Sequence, residues 1–222
     1  VYYGVYTHSS REKAKMFKRL ILPMVLATFI SPFMFADVSG KVGVMSDYMW
    51  RGQSQSMGDT SYNLGIDYNH DNGLYGTAWM GQVDFGDEAE WEYDLAVGYN
   101  LTVTDNLSLG GGVIQYSYNE GYDDIEELFV NASYKNSSIY YYVDSDNSDN
   151  TYMEFTHHLA FLSDVPGDFY VKYGDFNNGD DWAALKYSNM VAPNVQLSLH
   201  IMDGVRHGDA TDSMVLAMHY LF

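Results

Sequence analysis

Hydrophobic and polar residues alternate along most of the chain after residue 36. The pattern is clear in SYNLGIDYN (61–69), EWEYDLAVGYN (90–100) and SMVLAMHYLF (213–222). Successive side chains of a β-strand point to opposite faces, so a repeat of two residues predicts strands with one apolar face and one polar face. No segment of the sequence shows the 3.6-residue repeat of an amphipathic helix.

The alternating segments number twelve, and most are about as long as a strand that crosses a bilayer at a tilt, which takes about 9–11 residues. They cover residues 38–49, 61–69, 74–84, 89–99, 107–118, 126–134, 138–144, 151–162, 169–175, 182–188, 195–202 and 212–222. Single-chain barrels of bacterial outer membranes have an even number of strands, which agrees with this count.

The connections between the segments are of two alternating kinds. One kind is acidic or glycine-rich and often longer, as in WRGQSQSMGDT (50–60) and DGVRHGDATD (203–212). The other kind is compact, as in HDNG (70–73) and SDVPGD (163–168). Short periplasmic turns and longer outer loops are typical of membrane barrels. The sequence therefore predicts an all-β fold, a transmembrane antiparallel up-and-down β-barrel of about twelve strands.

A secreted β-sandwich or lipocalin-like barrel is the alternative fold, because its strands alternate too. In that fold the polar face would form the core, and its carboxylates and amides would need buried partners. The residues concerned are Asn63, Asp67, Glu92 and Asp94. In a membrane barrel with a hydrated lumen the same side chains meet water. The terminal Phe222 is also typical of outer-membrane barrels, where it belongs to the segment that the assembly machinery handles.

The first 36 residues differ from the rest of the chain. Residues 16–36 place two basic residues ahead of an apolar run and end in alanine, which is the pattern of a signal peptide. The apolar run is too short for a membrane-spanning helix. Residues 1–15 precede this segment and are interpreted as an upstream extension. This leaves residues 37–222 for the barrel.

Composition narrows the range of functions. The chain has 222 residues, no cysteine and 21 tyrosines, and beyond residue 36 it has six Lys and Arg residues against 29 Asp and Glu residues, a formal charge of −23. Nucleic acid is therefore excluded as a partner, because phosphate binding needs clustered Lys and Arg. The lack of cysteine excludes a thiolate nucleophile, disulfides and Cys-based zinc sites.

Three stretches carry a resemblance to a known family. SDYMWRGQSQS (46–56), GIDYNHDNGLYGTAWMGQVDF (65–85) and YDLAVGYN (93–100) resemble the opening strands of a proteobacterial porin family labelled Gcw_chp or TorF-type. The match is most specific over residues 38–99. The resemblance implies a β-barrel in the bacterial outer membrane, and it adds little about the solute.

The sequence shows no arrangement of residues that indicates catalysis, and we expect no enzyme. Ser198 and His200 lie on the polar face of one segment and point into the predicted lumen. A lipid hydrolase needs a site that is open to the bilayer instead, so two polar lumen residues are the simpler interpretation. His157 and His158 are adjacent, lie on opposite faces of a strand and cannot chelate one ion together.

Carboxylates cluster in the outer loops and are candidates for cation binding. In DSDNSDN, Asp144, Asp146 and Asp149 offer the oxygen ligands that Ca²⁺ and Mg²⁺ prefer, but the stretch lacks the glycine and the glutamate of an EF-hand loop. Solvated loop charge is the simpler interpretation. We expect no cofactor beyond loosely bound Ca²⁺ or Mg²⁺, which would bridge the loops to lipopolysaccharide phosphates in the surrounding outer-membrane lipid.

The predicted lumen and its mouth indicate a channel. Asp67, Glu92 and Asp94 face inward, and the loops around them are acidic, so cations are concentrated and anions repelled. We therefore expect a porin-like channel for passive diffusion of small solutes, with a preference for cations. The alternative is a non-conducting structural or interaction barrel whose acidic outer loops bind cations.

Arg51 is a further candidate lumen residue. Tyr48 and Trp50 are expected on the lipid side, in the aromatic belt of the outer interface, so that Arg51 points toward the lumen. It is either an ion-pair tether that holds the first loop or one side of a transverse field at the channel mouth. We favour the tether, because a single cation among many carboxylates is most readily satisfied by pairing.

Overall fold

The computed structural model describes residues 36–206, 209–210 and 213–222, and within them twelve long strands form a barrel. The strands are β1 (Ala36–Met45), β2 (Ser61–His70), β3 (Leu74–Gln82), β4 (Trp91–Thr104), β5 (Leu107–Tyr118), β6 (Ile125–Tyr134), β7 (Ser137–Asp144), β8 (Thr151–His158), β9 (Asp168–Phe176), β10 (Asp181–Ala192), β11 (Val195–Arg206) and β12 (Ser213–Leu221). No helix in these residues is long and apolar enough to span a membrane. The predicted extension 1–15 and all but the last residue of the predicted signal peptide 16–36 lie outside the described residues.

The sheet closes on itself. The strands follow one another around the barrel in chain order, and β12 pairs with β1 in an antiparallel register that sets Lys41 opposite Leu221. Closure leaves no unpaired strand edge. A sheet in lipid requires such closure, because no water is available there to hydrogen-bond unpaired backbone groups. The predicted twelve-stranded antiparallel barrel is confirmed.

The two faces of the strands separate as the alternation predicts. In β4, Tyr93 and Leu95 are exposed on the outside, whereas Glu92 is buried and Asp94 half-buried on the inside. Exposed apolar side chains of the outer face include Tyr62, Leu64, Ile66, Leu109, Val130, Ile139, Leu185, Leu197, Ile201, Leu216 and Met218. Such a band matches the hydrocarbon core of a bilayer. A closed barrel with an apolar outer band is the architecture of a bacterial outer-membrane protein, and the outer membrane is where this chain belongs.

The connections give the barrel a turn end and a loop end. Compact connections join the strands at the end where β1 begins and β12 ends, as at residues 71–73 and 135–136. The opposite end carries the loops, of which residues 46–60 are the longest fully described. In outer-membrane barrels the short turns face the periplasm and the long loops face outward, so the loop end is the outer one.

Several strand boundaries differ from the predicted ones. β1 ends at Met45 instead of residue 49, because the next residues turn into the barrel. β8 ends at His158 instead of residue 162, and the chain forms a short 3₁₀ turn at Ala160–Leu162. β4 continues to Thr104, past the predicted end at residue 99, because the repeat of two continues through LTVT.

A charge placed at Leu95 tests the outer face. Leu95 is 48% exposed and lies in the middle of the strand pair β3–β4, opposite Ala78. An arginine at the bilayer midplane costs about 2–4 kcal/mol in membrane barrels. Leu95→Arg is expected to lower the free energy of unfolding by about that amount, as measured by urea titration of the barrel folded in lipid vesicles.

Thr104→Arg is the matched control, because Thr104 lies at the turn end of the same strand. There the cost of arginine falls to about 0–1 kcal/mol. Folding of each variant is checked by the difference in gel migration before and after boiling. Equal losses of stability for the two variants would contradict the assignment of Leu95 to the lipid face.

Candidate channel and its constriction

The first outer loop, residues 46–60, folds into the barrel. Tyr48 is only 8% exposed and packs against Trp79, with ring centroids 5.0 Å apart. Trp50 lies edge-on to Tyr116, on the inner face of β5, with centroids 5.7 Å apart. The prediction that Tyr48 and Trp50 belong to a lipid-facing aromatic belt is therefore wrong. Strand β1 has already ended, and the loop carries both rings inward.

The tip of this loop is a tight hairpin that pairs Met49–Trp50 with Gln53–Ser54. Its two central residues, Arg51 and Gly52, have φ angles of 48° and 75°. Positive φ at both central positions is typical of two-residue hairpin turns. It is unfavourable for a residue with a side chain, so contacts of the Arg51 side chain must offset the strain.

An ion pair holds Arg51 inside the barrel. The guanidinium donates from Nη1 to Oε1 of Glu127 at 2.7 Å and from Nη2 to Oε2 at 2.5 Å. Both side chains are at most 8% exposed. The hydroxyl of Tyr116 accepts from Nη2 of Arg51 at 3.3 Å and donates to Glu127 at 3.1 Å. The predicted ion-pair tether is present, and its partner lies on β6, almost opposite β1 in the ring of strands.

Three aromatic rings surround the same guanidinium. Its Cζ atom lies 4.3 Å from the ring centroid of Trp50, 4.6 Å from that of Tyr142 and 4.1 Å from that of Tyr152. A cation is attracted to aromatic faces, more strongly where water is excluded. Burial alone lowers the pKa of the Arg51 guanidinium, whereas the facing phenol and carboxylate raise it, and the net pKa lies above its ordinary value. The tip is therefore permanently cationic.

Gly52 brings the tip against the barrel wall at β10. A Cβ atom on Gly52 would lie 2.5 Å from Cγ of Trp182, so only glycine allows this approach. Trp182 donates from Nε1 to the hydroxyl of Tyr152 at 3.1 Å, and Tyr152 donates to Glu154 at 3.0 Å. Glu154 also pairs with Lys172 at 2.7 Å. The tip thus rests on a connected network that spans β8, β9 and β10.

The small polar residues after the tip hold the base of the loop. The hydroxyl of Ser56 accepts from the backbone N–H of Tyr48 at 2.9 Å and lies 2.9 Å from the carboxylate of Asp47. Ser54 donates to the same carboxylate at 2.7 Å. These residues have a structural role, because they fix the two arms of the loop to each other.

The inner face carries buried polar groups that the protein does not satisfy. Buried side-chain atoms without a protein hydrogen-bond partner occur on Asn63, Glu92, Asp94, Asn131 and His200. Leaving such an atom dry costs about 1–3 kcal/mol, so water must reach it. Two of the predicted lumen carboxylates also accept hydrogen bonds from the protein. Glu92 accepts from Tyr118 at 3.2 Å, and Asp67 accepts from Thr77 at 2.8 Å. Water held in the interior would satisfy the atoms that have no protein partner.

The structure gathers some of the predicted lumen residues at the loop end. Asp94 interacts electrostatically with Glu92, Arg51 and Glu127. Asp67 is separate from this group and lies closer to the turn that joins β2 to β3. The constriction therefore contains one neutralised carboxylate, on Glu127, beside two others.

Three lysines also face the lumen, and the sequence contained a local signal for two of them. Lys172 lies between the exposed residues Val171 and Tyr173, and Lys186 follows the exposed Leu185. A polar residue between outward apolar residues of a strand points inward. Lys41 also points inward, since a Cβ atom on its neighbour Gly65 would lie 3.1 Å from its Cε atom.

One of the three loop carboxylates proposed for cation binding, that of Asp144, is engaged within its own loop. Asp144 is buried, and its carboxylate accepts from the backbone N–H of Asp146 at 2.8 Å and from the side chain of Asn150 at 3.2 Å. Over the described ranges no three side chains come together as metal ligands. Binding of Ca²⁺ or Mg²⁺ by Asp144, Asp146 and Asp149 stays a prediction.

The remaining polar pairs lie where the alternation places them. Ser198 and His200 are both on the inner face of β11, and no hydrogen bond joins their side chains. His157 bonds to Ser137 on the neighbouring strand at 2.8 Å, while His158 points to the other face. Ser198 and His200 therefore do not form a nucleophile–base pair.

Structures of the KdgM porin are similar to this chain in fold. The KdgM porin in complex with disordered oligogalacturonate has a TM-score of 0.57 at 10% identity, over 84% of this chain and 99% of that one. The KdgM porin alone gives 0.53 at 9% identity, over 84% and 98%. OprD of Pseudomonas aeruginosa gives 0.44 at 14% identity, over 86% and 68%. At these identities the likeness to the KdgM structures shows the fold alone.

Sequence comparison gives the family. No curated protein matches the chain. Residues 27–187 match the model of a family described as bacterial protein of unknown function (Gcw_chp). The TorF-type label predicted beside it is not tested and stays a prediction. Since the match covers more than half of the sequence, the chain belongs to the Gcw_chp family.

Proposed function

We propose that the chain forms an outer-membrane channel for the passive diffusion of small solutes. The observation that carries this proposal is the set of polar side chains on the inner face whose buried atoms lack protein partners, because water inside the barrel would satisfy them. A barrel of eight strands is filled by its own side chains, whereas one of sixteen leaves an aqueous channel. With twelve strands, the open area depends on what occupies the lumen. The complex of KdgM with an oligogalacturonate supports a solute-conducting role for this fold.

The first loop sets the aperture of this channel at its outer end. Arg51 reaches Glu127 on one wall, and Gly52 touches Trp182 on another, so the tip crosses the lumen. The tip is anchored by side chains and not by strand pairing with the barrel. The aperture therefore depends on one ion pair and its aromatic neighbours.

We further propose that the channel prefers cations. Glu92 and Asp94 lie at the loop end, and each has a carboxylate oxygen with no protein partner. Arg51 forms its ion pair there with Glu127. Uncompensated carboxylates beside a constriction attract cations and repel anions, and the formal charge of −23 beyond residue 36 acts in the same direction.

Arg51→Ala tests the constriction. The substitution removes hydrogen bonds between charged groups, each of which contributes about 1.5–3 kcal/mol, so the tip is expected to leave the lumen. Single-channel conductance in planar bilayers is expected to rise above that of the wild type, and limited proteolysis is expected to cleave residues 46–60 faster. Glu127→Gln is expected to act in the same direction, because it weakens the same pair.

Lys135→Ala is the control, because it removes a basic residue from a turn-end connection and should leave conductance unchanged. The double substitution of Arg51 by Glu and Glu127 by Arg is expected to restore part of the wild-type behaviour. Wild-type conductance in Arg51→Ala, together with an unaltered cleavage rate, would mean that the ion pair does not set the aperture.

Asp94→Asn tests the cation preference. Under a KCl gradient, the wild type is expected to show a reversal potential on the cation-selective side. The variant should shift it toward zero, because one uncompensated charge is lost near the constriction. Asp71→Asn, in the exposed turn between β2 and β3, is the matched control and should have no effect. An anion-selective wild type would overturn the preference and leave the channel itself in place.

A non-conducting barrel that binds cations or envelope partners through its acidic loops is the second candidate. It is favoured by the packing of Tyr48 and Trp50 into the loop end of the lumen. Folded wild-type protein without conductance, in which Arg51→Ala also conducts nothing, would support this function over the channel.

A further inference from the structure

The lumen contains a group of basic side chains on neighbouring strands, here called the basic strip. Its members are Lys41, Lys172, Lys186, His200 and His219. The register sets Lys186 directly opposite His200, and directly opposed side chains have Cβ atoms about 4.5–5.5 Å apart. Lys172 is a diagonal neighbour of Lys186, and His219 of Lys41. The strip therefore has members on β9, β10, β11, β12 and β1.

The basic strip lies below the constriction, toward the periplasm. Tyr152 and Trp182, which contact the loop tip, occupy the loop ends of β8 and β10. Lys172 and Lys186 lie near the middle of β9 and β10, closer to the turn end than Tyr152 and Trp182 are. A solute that has passed the first loop thus meets the basic strip next.

The protein supplies too little negative charge for this strip. Glu154 pairs with Lys172 at 2.7 Å. Among the described residues, Lys41 and Lys186 form no ion pair, and Nε2 of His200 has no hydrogen-bond partner. Lys172 and Lys41 repel the Lys186 ammonium, and Glu154 attracts it.

Two serine hydroxyl groups lie beside the basic strip and add further hydrogen-bond donors to it. Ser188 and Ser198 are buried, directly opposite each other and next along the inner face to Lys186 and His200. Ammonium, imidazole and hydroxyl donors on one concave wall fit the oxygens of a carboxylate or a phosphate. The Ser198–His200 pair, which offers no catalytic geometry, has a function in this arrangement.

We infer that the basic strip binds an oxyanion group, a carboxylate or a phosphate, of a small solute inside the lumen. This inference rests on the proposed channel, since it names the chemistry of the solute that the channel holds. The site and the acidic loop end act at different depths. A preference for cations in ion conductance and a site for an anionic group are therefore separate properties of one lumen.

Lys186→Gln tests the site through equilibrium binding. Citrate and inorganic phosphate are titrated separately into folded detergent-solubilised protein at low ionic strength, with heat released as the signal. The wild type is expected to bind at least one of them, which identifies the source of the oxyanion. Lys186→Gln should weaken that binding about tenfold, the effect of losing one hydrogen bond to a charged group.

Lys135→Gln is the matched control, because the same substitution then lies in a turn outside the lumen. Lys41→Gln provides a second lumen variant should Lys186→Gln fail to fold, as judged by heat-modifiable migration. Failure of the wild type to bind either anion, or equal binding by the lumen variants and the wild type, would overturn the site. Binding without any conductance in bilayers would instead support the site and refute the channel.

Discussion

The ion pair between Arg51 and Glu127 organises the interior of this barrel. It joins the tip of the first loop to a strand almost opposite, and its charge-assisted bonds offset the unfavourable positive φ of Arg51. Breaking it would leave a buried charge without a partner, which is costly. The aromatic rings over the guanidinium and the close approach of Gly52 to Trp182 depend on the position that this pair imposes.

The barrel separates its charges by depth as well as by face. The outer face is apolar and meets lipid. Charged side chains of the described strands that face the lumen therefore interact with water or with another side chain. Carboxylates of Glu92 and Asp94 lie at the loop end, while Lys172 and Lys186 lie closer to the turn end. In the proposed channel, a solute that enters from outside would meet the acidic and aromatic groups of the loop end first and the basic wall after them.

Local patterns were sufficient for most of the fold. The alternation in β2 and β4 predicted these strands, the inward position of Asp67 and Asp94, and the apolar outer band. It could do so because a repeat of two residues depends only on neighbours in the sequence. The pattern failed at the end of β1. Tyr48 and Trp50 continue the alternation and yet lie inside, because contacts with distant strands and not strand pairing decide their position.

The sequence by itself determined the number of strands, the order in which they cross and the face that meets lipid, because these follow from the period of the side chains and the lengths of the connections. It also indicated that Arg51 would pair with a carboxylate, because the chain beyond residue 36 has few basic residues and many acidic ones. Only the tertiary structure decided that the partner is Glu127, 76 residues away, and that Lys41, Lys172 and Lys186 share one wall. Those contacts depend on the register and closure of the whole barrel, which no local pattern contains.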